Sequence, residues 1–288
     1  MFISLDKLFP KRYEKMNVLV VFKPSTSCYE EIVNKIIDCF SKDNVKAVEV
    51  SCVAEQESSA AIEFADICIA IGGDGTTLRT VREVAKYNKP IFSVNAGNLG
   101  FLSEVAPAEI DIALDKIKNN DYSIQKRIML KGYIKGKPEN EILALNELLV
   151  HTKKVGSILR TKINISGVCL GKLSADGVMV ATPTGSTAYS LSAGGPLVHP
   201  TSAVIGLIPV CPHALSFRPL IAHDHERIEI ECLDDAELIA DSAEHWVMAT
   251  GDSVVIEKAD VEANFIDLHN STFYDKLREK LRWGGMNN

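Results

Sequence analysis

Two stretches of the chain gather residue types suited to a phosphorylated ligand. The first is Ile71-Gly72-Gly73-Asp74-Gly75-Thr76. A short, β-branched apolar run over 67–71 leads into it, as expected of a strand buried on both faces. Behind it Leu78, Val81 and Ala85 recur on one face, with Arg79, Arg82 and Lys86 elsewhere, which predicts a helix. The motif is therefore a strand–turn–helix junction. Its glycines permit positive φ and let a ligand come close to the backbone. The helix N-terminus beyond offers free N–H groups and a positive dipole end, which favour an anion. A lone carboxylate, Asp74, sits in that cradle. Three roles are open to it: metal binding, taking a proton from an attacking hydroxyl, or capping the helix.

The second stretch opens with Ser174-Ala175-Asp176-Gly177 and runs from Ala181 through Thr182-Pro183-Thr184-Gly185-Ser186-Thr187-Ala188-Tyr189-Ser190-Leu191-Ser192 to Pro196. Small hydroxylated residues and glycines at this density do not make a core strand. They offer hydroxyls, backbone donors and the Tyr189 ring, which suit a sugar phosphate or a stacked base. Other patterns carry less. His223-Asp224-His225-Glu226 has metal-ligand residue types but reads as an exposed turn before a strand. Residues 167–172 loosely resemble a Walker loop, but the spacing is wrong and Leu173 stands where a hydroxyl belongs. The dinucleotide fingerprint G-x-G-x-x-G is missing.

These residues need elements to hold them. Over residues 1–121, strands at 18–22, 45–50, 67–71 and 90–94 alternate with helical stripes, the clearest being Tyr29, Ile32, Val33, Ile36, Ile37 and Phe40. Ser27 and Glu30 form a capping box ahead of that stripe. Pro107 stands at a first helical position before Ile110, Leu114 and Ile117. The alternation predicts an α/β domain with a mostly parallel, Rossmann-like sheet, whose ligands bind beyond the carboxyl ends of its strands. Residues 122–267 are β-rich, with short runs at 128–134, 142–150, 159–165, 178–181, 204–210, 227–233, 238–240 and 253–256. A final segment, 268–288, contains a helical stripe of Phe273, Leu277 and Leu281 that is too short to fold alone. A chain of 288 residues fits this two-domain division. Its net charge of −7 argues against a broad nucleic-acid or membrane footprint, so an anionic ligand must be held by local donors. Seven cysteines with no C-x-x-C pair point to reduced thiols in a cytoplasmic protein. No signal peptide or membrane span is evident.

The order and spacing of several motifs carry a resemblance to a known family. They are Gly72-Gly73-Asp74-Gly75-Thr76, Asn95-Ala96-Gly97-Asn98-Leu99-Gly100-Phe101, Asn146-Glu147, Asp176-Gly177, the run starting at Thr182, Cys211-Pro212-His213 and Arg218-Pro219. Together they resemble the NAD kinases, which phosphorylate the 2′-hydroxyl of the adenosine ribose of NAD. The first motif alone is shared with diacylglycerol-type lipid kinases. The run from Thr182 is far more specific. The resemblance implies an N-terminal α/β domain, a C-terminal β domain, an active site formed by both, and a last helix that returns to the first domain. It implies Asp74 as general base, with Gly72, Gly73, Gly75, Thr76 and their backbone holding phosphate. It implies NAD contacts from Asn146, Glu147, Asp176, Thr184, Thr187, Ala188, Tyr189, Ser190, Leu191 and Ser192. Asn95 and Phe101 would lie on the ligand side, Phe101 near the adenine. Arg79 has two readings, a phosphate contact or a solvated helix residue. ATP or another phosphoryl donor is implied, with a divalent metal, magnesium, for which no residues are assigned. NAD and ATP are the implied partners, together with a homodimer or homotetramer built largely through the β domain; nucleic acid and membrane are not. Asp241-Ser242-Ala243 departs from the family's usual Asp-Gly-Gln or Asp-Ser-Gln, since Ala243 cannot make a glutamine's hydrogen bonds. A lipid kinase and a nucleotide-sensing protein without turnover are the alternatives.

Overall fold

The computed structural model describes residues 16–25, 28–96, 100–154, 156–214 and 216–283. The chain divides into two compact units: one runs to Ile124 and adds Ile266–Thr272, the other comprises Gln125–Phe265 and the residues from Phe273 onward.

The first unit holds strands β1 (Val18–Phe22), β2 (Val45–Glu49), β3 (Ile67–Gly72) and β4 (Ile91–Asn95). They pair in the order β2-β1-β3-β4, all parallel. Helices α1 (Tyr29–Phe40), α2 (Gln56–Phe64), α3 (Asp74–Val84) and α4 (Ile110–Lys118) alternate with them. Along β3, Ile67, Ile69 and Ile71 join a core built with Ile32, Ile36 and Phe40 of α1 and Ile110, Leu114 and Ile117 of α4. By strand alternation Cys68 and Ala70 face the other side, where they too are buried. Each fully buried aliphatic side chain contributes about 1.5–3 kcal/mol, so β3 is among the most firmly held strands of the unit. That firmness matters because β3 delivers the Gly72 turn. β2 lies at the sheet edge and is largely exposed. Pro107 opens a 3-10 turn ahead of α4, where the Glu109 carboxylate accepts the Ala106 N–H at 3.1 Å. Ser27 of the expected capping box lies outside the described residues, as do Gly97, Asn98 and Leu99 of the Asn95 motif. Residues 266–272 return to this unit: Ile266 and Leu268 enter its core, and Lys116 donates to the Leu268 carbonyl at 3.1 Å.

The second unit is an antiparallel β sandwich. One sheet has the order β12-β11-β10-β7-β14-β15, formed by β7 (Glu147–Thr152), β10 (Gly177–Ala181), β11 (Val204–Val210), β12 (Leu220–His223), β14 (Ala236–Ala240) and β15 (Glu244–Met248). The other runs β16-β13-β8-β9, with β8 (Leu159–Ile165), β9 (Val168–Ala175), β13 (Ile228–Cys232) and β16 (Ser253–Asp267). β5 (Ser123–Ile134) pairs with β6 (Glu141–Ala144). A shared core interleaves Leu148, Val150, Val180 and Leu207 of the first sheet with Ile163, Leu173, Ile230 and Val254 of the second. On the opposite face of the first sheet, Leu149, Met179, Ile208 and Val210 form a smaller cluster against which Ala193 packs. β7, β10 and β11 are therefore covered on both faces, which explains their near-continuous apolar runs.

The expected 142–150 strand is two strands, broken at Leu145 and Asn146. β9, β12 and β15 were not legible as strands, and β16 extends well beyond 256. The last helix, α6 (Phe273–Lys280), groups with the second unit rather than the first. Its Phe273 ring meets His199 edge-on, with centroids 5.3 Å apart.

Candidate functional site

The Gly72 turn of the first unit is built by two close approaches. A side-chain Cβ at position 72 would lie 2.4 Å from Thr76 Oγ1, so only glycine lets β3 pass directly into α3. Gly73 and Gly75 differ from expectation: neither has positive φ, and a Cβ on either would meet nothing within 4 Å. Their missing side chains leave open space over the helix end rather than relieve the backbone. The first donors of the helix ladder are Thr76 and Thr77, both to the Gly73 carbonyl. The N–H groups of Asp74 and Gly75 precede that ladder, as the first-turn donors of any helix do.

Asp74 is not the cap of α3. Gly73 occupies that position, without a side-chain cap bond. The Asp74 carboxylate instead reaches the segment after β4, accepting the Phe101 N–H at 2.9 Å and the Leu102 N–H at 3.2 Å. Gly100 lies directly beneath it: a Cβ there would sit 1.8 Å from Asp74 Oδ1. Asn95 is buried at the end of β4, its N–H held by the Val105 carbonyl at 2.9 Å. β4 and β3 run in register there, Asn95 opposite Gly72. Thr76 is buried. Arg79 is exposed and donates to the Ser51 carbonyl at 3.1 Å, tying α3 to the loop after β2. Phe101 is partly exposed.

In the second unit Asn146 and Glu147 sit where β6 gives way to β7, both buried. The Asn146 carbonyl accepts the Thr182 N–H at 2.8 Å, and a Cβ at Gly185 would lie 2.0 Å from that carbonyl oxygen. The segment after β10 is thus laid directly on the Asn146 turn. It forms a 3-10 turn (Thr184–Thr187) and the one-turn helix α5 (Tyr189–Ser192). Several of its hydroxyls are spent internally, unlike the expected display toward a ligand. Thr182 Oγ1 donates to the Leu145 carbonyl at 2.5 Å and accepts the Gly185 N–H at 3.0 Å. Ser186 Oγ donates to the Pro183 carbonyl and accepts the Val198 N–H. Ser190 is buried, and Thr187 bonds back to the Thr184 carbonyl at 3.2 Å. Thr184 Oγ1 is buried without a partner. Tyr189 and Ser192 are exposed, with Thr187, Ala188 and Leu191 partly so. Asp176, between β9 and β10, is partly exposed, and its backbone is tied to Thr152 and Val210.

One anchor was not assigned a role from the sequence. Asp241, in the turn after β14, accepts the N–H groups of Leu145, Asn146 and Glu147 at 2.9, 2.8 and 3.2 Å. Asp241 and Ser242 both have positive φ, 47° and 57°. The sequence flagged this turn only through Ala243. Burial, and then the Asp241 charge, push the Glu147 carboxyl up to about 8. His223 and His225 stack at 5.1 Å, and Asp224 pairs with Lys258 at 2.8 Å, so that cluster is knit within the β unit.

Comparison with known proteins accounts for both halves of the chain. The ATP-NAD kinase N-terminal domain matches residues 14–122, and the ATP-NAD kinase C-terminal domain matches residues 145–268. The chain belongs to the NAD kinase family. The NAD kinase of Sulfurimonas denitrificans is 33% identical over 273 residues, 92% of this chain and 96% of that protein. The NAD kinase of Thiobacillus denitrificans is 39% identical over 223 residues, 76% and 77% of the two chains. Among solved structures, yeast NADH kinase complexed with NADH superposes with a TM-score of 0.82 at 27% identity, covering 96% of this chain and 90% of that one. An NAD kinase from Archaeoglobus fulgidus in complex with ATP superposes with a TM-score of 0.75 at 27% identity, covering 93% and 99%. The α/β unit and the β sandwich are thus the two domains of the NAD kinase fold.

Proposed function

We propose that this NAD kinase transfers the γ-phosphoryl group of ATP to the 2′-hydroxyl of the adenosine ribose of NAD, giving NADP. The observation that carries the mechanism is the Asp74 turn: a carboxylate fixed by two loop amides beside an uncluttered helix N-terminus. Phosphoryl transfer asks mainly for alignment, charge neutralisation and removal of one proton. Asp74 accepts the ribose proton. The open backbone at Gly73, Gly75 and Thr76 holds donor phosphate, and Gly72 permits the turn. Asn146, Glu147, Asp176, Thr184 and the 187–192 segment bind NAD, with Asn95 and Phe101 lining the ligand side. Tyr189 is 40% exposed, and its ring is of a kind suited to stacking on a base. Arg79, in α3, is tied to the Ser51 carbonyl and remains a candidate phosphate contact.

A divalent metal, magnesium, would neutralise charge on the transferred group. Among the described residues no group of three or more His, Cys, Asp or Glu is placed to hold one. We further propose a cytoplasmic homodimer or homotetramer. No helix among the described residues is long and apolar enough to cross a membrane. Turnover measured with NAD, NADH and a diacylglycerol as competing acceptors tests the reading. NADP formation exceeding any lipid phosphorylation supports it; lipid turnover exceeding NAD turnover overturns it, and NAD binding without turnover would make the protein a sensor.

A further inference from the structure

The break between β6 and β7 is held by one carboxylate and crowds a second. Three consecutive backbone N–H groups, from Leu145, Asn146 and Glu147, converge on Asp241. The Asp241 N–H returns a bond to the Glu147 carbonyl at 3.1 Å. Asp241 is 7% exposed, and amide donors converging on a carboxylate favour its charged form. Those donors are consequently unavailable to the neighbouring acid. Glu147 is 4% exposed, and its Oε2 is buried with no partner.

Among the described residues, Asp241 is the charged group that acts on Glu147. Across the strand pair Glu147 faces Ala181, and β10 carries no ionisable residue along its length. The 182–187 segment laid on this turn carries none either. On the β14–β15 hairpin, Glu237 lies near His245, 3.7 Å away, and Glu244 is exposed. His151 stands toward the far end of β7. The charge acting on Glu147 is that of Asp241, and a like charge beside a buried acid disfavours its ionisation.

We propose that Glu147 meets its ligand as an uncharged carboxylic acid, with Asp241 the positioning residue that fixes the Asn146-Glu147 turn and keeps its neighbour protonated. A neutral carboxyl offers one O–H donor and one carbonyl acceptor. That pair matches a sugar hydroxyl, which likewise donates and accepts, and gives nothing to a cation. The orphaned Oε2 then finds its partner only when ligand is bound. Burial of this group leaves the unliganded site under-satisfied and adds selectivity for a hydroxyl-bearing ligand. The inference rests on NAD being the ligand, and it makes NAD affinity fall in alkaline solution.

Two measurements separate the protonation claim from the NAD reading. Calorimetry of NAD binding from pH 7 to 9.5 compares the intact enzyme with Glu147→Gln, whose amide is a permanently uncharged isostere. A group titrating at about 8 is neutral in roughly one molecule in thirty at pH 9.5, so the intact enzyme is expected to lose roughly 30-fold in affinity. Glu147→Gln is expected to bind within about threefold of it at pH 7 and to stay flat. Carbon-13 NMR of the apoprotein, labelled at glutamate carboxyls, gives the direct readout. The resonance absent from Glu147→Gln should titrate near 8, and lower in Asp241→Asn. A Glu147 resonance titrating near 4.5 would overturn the proposal, as would flat affinity to pH 9.5 together with a loss above tenfold in Glu147→Gln. Absence of NAD binding at pH 7 would strike the ligand assignment instead, and the NMR titration would still decide the protonation state.

Discussion

Replacing Gly100 with alanine should unlatch Asp74. The new Cβ would stand 1.8 Å from Asp74 Oδ1 and 2.9 Å from Oδ2, inside any van der Waals contact. The carboxylate must therefore swing away, giving up the Phe101 and Leu102 amides at 2.9 and 3.2 Å. A hydrogen bond to a charged group contributes about 1.5–3 kcal/mol. Asp74 is only partly buried, so water recovers part of the loss as the carboxylate leaves. The expected net cost is roughly 2–4 kcal/mol, or about 5–15 °C in Tm for a domain of this size. Calorimetric unfolding of four proteins measures it: intact, Gly100→Ala, Asp74→Ala and the double variant. Once Asp74 is alanine, the Cβ at 100 has room, so the second substitution should cost less than about 0.5 kcal/mol. The coupling then equals most of the single-variant cost. Additive costs would refute the latch, because Gly100 would then be needed for its own backbone and not for Asp74.

Other outcomes follow from the same geometry. Tyr189→Ala, which removes an exposed ring on a short helix, should raise KM for NAD more than it lowers kcat; steady-state kinetics with an unchanged KM and collapsed kcat would place Tyr189 in the chemistry. Glu147 has its folded-state pKa raised, to about 8 from 4.5, so its contribution to stability is present in acid and is lost as pH rises through 8. Urea unfolding of the apoprotein should therefore lose roughly 2–3 kcal/mol between pH 6 and 8 from this one group, a slope that Glu147→Gln lacks. Light scattering should give a multiple of the 31.5 kDa chain mass; a fully active 31.5 kDa particle would contradict the oligomer.

Much of this was legible because the signals are local. The 67–71 run and the stripe from Tyr29 to Phe40 each report a buried face through period alone, and β3 and α1 follow them. β9 leaves no periodic signal because it is a sheet edge: Val168, Cys169 and Leu170 are exposed and Gly171 interrupts them, so no alternation survives. β15, another edge, is likewise mostly exposed. Asn146 and Glu147 interrupt the apolar run over 142–150, but two polar residues do not by themselves end a strand; the carboxylate that fixes the β6–β7 break lies about 95 residues away. The same holds for Asp74. Its glycine-rich setting leaves a cap open among three roles, while the partners that hold it come from 27 and 28 residues downstream. The density of hydroxyls after β10 suggests ligand donors. Which of them face inward depends on the Asn146 turn they pack against, and spacing does not encode that.

The central claim is that Asp74 removes the ribose proton, and Asp74→Asn tests it most directly. Asparagine keeps one acceptor for the loop amides but has neither charge nor basicity. With NAD and ATP saturating, the account expects kcat to fall by at least about 10²-fold, with NAD binding by calorimetry retained and Tm lowered by only a few degrees. A kcat near that of the intact enzyme would contradict it and leave Asp74 as the latch of the Phe101 loop alone.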